Sequence, residues 1–108
     1  MTQQVDSSRL ADMRDHAEEA IEYCKDMDMA AFLADTKTKR AVTYLIQIIG
    51  EAANRISGET RSRIDLPWSD IIGMRNILVH AYHGVDDEIL WNAVQVELPD
   101  LLRKLSEV

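Results

Sequence analysis

Three side chains able to act on a phosphodiester interrupt one apolar run: Arg75, Asn76 and His80, within the stretch Met74 to Tyr82. A guanidinium can fork onto phosphate oxygens and stabilise the charge that builds there. An imidazole, with a reference pKa of about 6.5, can take or give a proton at neutral pH. RNA supplies its own nucleophile, the 2′-OH. An arginine and a histidine facing one phosphodiester are therefore a minimal kit for cutting RNA without a metal. Tyr82 follows the histidine by two residues.

The elements that carry these groups restrict how they can meet. Each residue of an α-helix turns by about 100°. Asn76 and His80, four apart, share a face. Arg75 and His80, five apart, diverge by about 140°. One straight helix does not aim both at the same atom. Either the helix ends or distorts near His80, as Ala81-Tyr82-His83-Gly84 suggests, or two copies of the motif meet across a dimer axis.

The chain reads as helices throughout. A first helix, capped by Ser7 or Ser8, carries the stripe Leu10, Met13, Ala17, Ala20, Ile21, Cys24 and Met27. Residues 1–6 precede it as a flexible tail. Cys24 falls in the stripe and reads as a small core residue. His16, beside the stripe, reads as a packed or rim residue. A second, longest helix over residues 30–57 has an apolar face wider than one neighbour needs, which places it centrally or at a subunit interface. Lys37, Lys39 and Arg40 begin its polar face, and Lys39 and Arg40 are candidate RNA contacts. Gly50 and Gly73 suggest close approach of another element. After Ser57-Gly58 comes at most a short helical turn with Arg61 and Arg63 exposed. A third helix begins at Pro67 and runs to about Ala81. A fourth, capped by Asp86 or Asp87, is kinked or broken at Pro99. The expected architecture is an all-α antiparallel bundle of four to five helices in a single domain, residues 1–108.

Composition limits the function classes. The formal net charge is −7, which counts against nucleic-acid binding by charge alone. Its distribution softens that objection, because the basic excess falls in residues 37–83, the segment that holds Arg75 and His80. No signal peptide and no membrane-spanning run is visible, so a soluble cytoplasmic protein is expected. His80 and His83 could hold a metal with Asp86 or Asp87, but no cysteine or further histidine supports this, and no metal or cofactor is expected. Glu51, in the middle of the second helix, reads either as a core-edge carboxylate facing Arg55 or Arg75 or as a group that helps arrange the cleft.

Arg75-x4-His80-x-Tyr82, preceded by Pro67-Trp68 and Ile71-Ile72-Gly73-Met74, resembles the signature of HepT-like toxins of the HEPN superfamily. Ile48-Ile49-Gly50-Glu51-Ala52-Ala53 and Gly84-Val85-Asp86 fit the same pattern, and the resemblance covers about residues 8 to 106. It implies a HEPN bundle that acts as a homodimer, a metal-independent endoribonuclease with a composite cleft at the interface. Arg75 and His80 would be catalytic, and Asn76 would orient the imidazole or bond the phosphate. The products would be a 2′,3′-cyclic phosphate, or its opened form, and a 5′-hydroxyl. Tyr82 would be the residue to which an MNT-type nucleotidyltransferase antitoxin transfers AMP. A different use of the same fold is a non-catalytic module that binds substrate or nucleotide for a nucleotidyltransferase.

Overall fold

A computed structural model describes the backbone of residues 2–80 and 87–108, and the side chains of residues 5–74 and 87–108. The helices are α1 (Thr2–Tyr23), α2 (Met29–Ala34), α3 (Thr36–Asn54), α4 (Gly58–Arg63), α5 (Trp68–His80), α6 (Asp87–Asn92) and α7 (Leu98–Ser106). A π-helical turn, Ala93–Glu97, joins α6 to α7. Among the described residues there is no strand, and no helix is long and apolar enough to cross a membrane.

The periodic stripes decide what is buried. Met13, Ala17, Ala20 and Cys24 turn one side of α1 and its end into the core. Val42, Leu45, Ile46, Ile49, Ala52 and Ala53 do the same along α3. That wide face lets α3 pack on α1 at one side and on α5 at the other. The expected central helix is therefore α3. Leu98, Leu101 and Leu105, three and four residues apart, close the core from α7 against α1.

The expected single second helix is two helices, broken at Asp35. Asp28 caps α2 by accepting a bond from the Ala31 N–H at 2.8 Å. Asp35 caps α3 by accepting from the Thr38 N–H at 3.0 Å. A carboxylate that takes up an orphan N–H of a new helix competes with helix continuation, and it wins here. The expected break at Pro99 lies upstream. Proline has no N–H to give and clashes with the carbonyl four residues back, here Gln95. Gln95 lies in the widened π turn, and Pro99 occupies the first turn of α7. The expected close approach at Gly73 is not seen among the described residues: outside its own helix backbone and chain neighbours, none of their atoms lies within 4 Å of where a Cβ would stand.

The first helix starts at Thr2, ahead of the expected serine caps, so the stretch read as a tail is helical. Asp6 accounts for this. It extends the spacing of Leu10, Met13 and Ala17 by one turn and is buried, with 3% exposure. Its carboxylate accepts bonds from the Ser57 hydroxyl (2.6 Å), the Ser57 N–H (3.2 Å) and the Thr60 hydroxyl (2.6 Å). Ser57 is itself the N-cap of α4, accepting from the Thr60 N–H at 3.2 Å. One buried carboxylate thus ties α1 to the start of α4. The bonds from Ser57 and Thr60 hold the Asp6 carboxyl below the usual carboxylate range. A carboxyl with a lowered folded pKa contributes stability above its unfolded value, about 3.9, and the contribution is lost as the pH falls through the folded value. Asp6→Asn is expected to be less stable than the wild type at pH 7, with the two urea-unfolding midpoints converging below about pH 4. A constant gap down to pH 2 would refute the assignment.

Candidate active site

The helix that carries the candidate residues is fixed at its start by a junction that sequence reading missed. Arg61 was expected to be exposed, yet it is half-buried under the end of α3. Its Nη2 donates to the carbonyls of Ala53 (3.1 Å) and Asn54 (2.8 Å). The Arg9 guanidinium donates to the Arg55 carbonyl at 2.7 Å. The last carbonyls of a helix lack intrahelical partners and carry its negative end, so two arginines satisfy both needs. The Arg61 guanidinium also lies 6.0 Å from the centre of the Trp68 ring. The Trp68 indole N–H is shared between the carbonyls of Arg61 (3.2 Å) and Ile64 (3.1 Å). Trp68 is the first residue of α5, and Ile71 and Met74 seat the helix in the core. No local pattern marks this junction, because Arg9 and Arg61 meet carbonyls at the end of a helix to which neither belongs.

Arg75, Asn76 and His80 all lie on the backbone of α5, which runs unbroken to His80. Their side chains lie outside the described residues, as do Tyr82, His83 and Asp86. In a regular helix the register sets Asn76 one turn before His80 and Arg75 about 140° from it. Glu51 is half-buried on α3, the helix packed against α5.

The two candidate RNA contacts differ. Arg40 is exposed, and among the described residues it makes no ion pair. The Lys39 ammonium stands 3.2 Å from the Asp87 carboxylate, with the lysine side chain 23% exposed. Between α5 and the π turn and α7 lies an open cleft of about 450 Å³, lined by Asp70, Gly73, Met74, Glu97, Asp100 and Leu101 among others. Three of its lining residues carry carboxylates, Asp70, Glu97 and Asp100, and Asp100 is paired with Arg103 and with Lys104. Among the described residues no cluster of three or more histidine, cysteine or carboxylate side chains could hold a metal.

A helical bundle with Arg-x4-His on one helix is the class that the geometry defines. The family model for HepT-like ribonucleases matches residues 13–108. A Methanocaldococcus jannaschii protein named as a candidate RNase is 34% identical over 100 residues, covering 92% of both chains. A Thermococcus cleftensis protein named as a probable ribonuclease HepT is 35% identical over 100 residues, covering 92% of this chain and 91% of its own. A candidate RNase of Caldanaerobacter subterraneus is 35% identical over 89 residues, covering 82% and 80%. No solved structure matches. The chain belongs to the HepT-like ribonuclease family, and its all-α bundle is of the HEPN type.

Proposed function

We propose that this protein is a metal-independent endoribonuclease that works as a homodimer in the cytoplasm, the toxin of a two-gene pair with an MNT-type nucleotidyltransferase antitoxin. The family match that spans the bundle and includes Arg75 and His80 carries this reading. His80 accepts the 2′-OH proton or protonates the leaving oxygen, and Arg75 stabilises the charge on the non-bridging oxygens. Asn76, one turn from His80, orients the ring or bonds the phosphate. Arg75 and His80 are brought to one phosphodiester either by two copies of the motif lining one cleft across a dimer axis or by an end or distortion of the helix near His80. Arg40, exposed on α3, follows the RNA backbone. Tyr82 is the residue on which the antitoxin places AMP. The added phosphate repels the RNA backbone and the adenosine fills the cleft.

The net charge of −7 favours a second reading, a non-catalytic module that binds nucleotide for its partner enzyme. One incubation separates the two. Pure protein is mixed with total RNA in excess chelator, and the fragment ends are identified. Fragments with 2′,3′-cyclic phosphate and 5′-hydroxyl ends are expected. Intact RNA together with tight nucleotide binding would establish the module instead.

A further inference from the structure

Four long side chains share the outer side of α3: Lys37, Arg40, Tyr44 and Gln47, three or four residues apart and all exposed. They stand opposite Val42, Ile46, Ile49 and Ala53, which face the core. Tyr44 is 64% exposed, more than any other described aromatic residue. The Tyr23 hydroxyl donates to Glu19 at 2.5 Å, whereas the Tyr44 side chain makes no hydrogen bond and no ring contact among the described residues. Bonds from Thr38, and then the nearby Lys37, hold the Asp35 carboxyl below the usual carboxylate range, so the Lys37 charge is already answered. Lys39 is turned to Asp87. The Arg40 guanidinium makes no ion pair among the described residues. An unpaired cation thus stands one turn from an unpartnered ring, with their Cβ atoms about 5–6 Å apart. This part of α3 also lies near the end of α5. Arg61, bonded to the carbonyls of Ala53 and Asn54 at the end of α3, lies over Trp68, the first residue of α5. Because α5 starts there and packs along α3, it runs back antiparallel to it. Its 13 residues rise about 1.5 Å each, so the backbone of His80 lies about 18 Å back along α3, within about a turn of the level of Tyr44.

We propose that Arg40 and Tyr44 form a subsite for one unpaired nucleotide of single-stranded RNA, flanking the nucleotide that is cut. The base stacks on the Tyr44 ring, and its phosphate takes the Arg40 guanidinium. The proposal rests on the ribonuclease reading above. An exposed ring offers any unstacked base a π-face, and a cation beside it meets the backbone. A duplex keeps its base faces stacked and is not taken. A contact between copies about a two-fold axis would set the same patch on both sides of the interface, Lys37 and Arg40 included. These cations favour a polyanion over a second copy of the chain.

The test measures binding of a short fluorescent oligoadenylate to full-length His80→Ala protein, so that affinity is read apart from cleavage. Adding Tyr44→Ala is expected to weaken binding about tenfold, and Tyr44→Phe by less than about twofold, because the ring and not the hydroxyl carries the stacking. An abasic RNA of the same length keeps the phosphates and lacks the bases, and Tyr44→Ala is expected to bind it as its parent does. Arg40→Ala is expected to weaken both RNAs and to lower the salt slope of binding by about one. With His80 intact, Tyr44→Ala is expected to raise KM about tenfold with kcat within about twofold. Unchanged affinity of Tyr44→Ala for oligoadenylate, or an equal loss on abasic RNA, overturns the subsite. So does sedimentation of Tyr44→Ala as a smaller species than its parent, which would make this face a contact between copies. A wild type that binds oligoadenylate through Tyr44 but cuts no RNA overturns only the ribonuclease reading.

Discussion

His80→Ala and Arg75→Ala are each expected to lower RNA cleavage by on the order of a hundredfold or more, with the helical fold intact. Removing a positioned general acid or base typically costs 10² to 10⁴ in rate, and removing one donor to a developing oxyanion about 10² to 10³. The two losses are not expected to multiply in the double variant, because groups that act on one transition state fail together. Growth inhibition on expression should disappear in parallel. Circular dichroism and sedimentation of each variant separate lost chemistry from lost fold. A fully toxic His80→Ala protein would remove the proposed mechanism.

The largest expected effect on stability is at Phe32. Among the residues of α2 it is the buried one, fully enclosed at 0% exposure. Its ring packs against Trp91 with centroids 5.1 Å apart and planes tilted by 39°. Truncating a buried phenylalanine to alanine costs about 3–5 kcal/mol through lost transfer energy and the cavity left behind. A domain of this size is held by only about 5–15 kcal/mol in total. Phe32→Ala is expected to lower the urea midpoint by about a fifth or more, and Phe32→Leu by much less. A midpoint within experimental error of the wild type would mean that α2 is not anchored through this ring.

Periodicity made the main helices and their inward faces legible. Met13, Ala17, Ala20 and Cys24 repeat at helical spacing because one side of α1 must face the core, and they do. The double stripe of α3 marked it as the helix with neighbours on two sides. What escaped were positions where a polar side chain overrides the apolar pattern. Asp35 interrupts a run that hydropathy alone would continue, because its carboxylate satisfies the new helix's N–H groups. Asp6 has the spacing of a core residue and the chemistry of a surface one, and only its distant partners Ser57 and Thr60 reconcile the two. Arg61 looked exposed because nothing local reveals the carbonyls it meets seven and eight residues back. The Arg-x4-His spacing is legible as a candidate for chemistry, and the backbone of α5 carries all of it. The engagement of Lys39 by Asp87 is not legible, since pairing across 48 residues leaves no local mark.

The two tryptophans stand at opposite concerns of this molecule. Trp68 lies beneath the Arg61 guanidinium at the head of the helix that carries Arg75 and His80. Trp91 lies against Phe32, where α6 meets α2. Their emission therefore divides into two native optical channels. In a Trp91→Phe protein the remaining indole reports the seating of α5. In a Trp68→Phe protein it reports the docking of α2. The fold thus carries its own pair of probes for telling a local loosening of α5 from a separate loosening at α2, with no label attached.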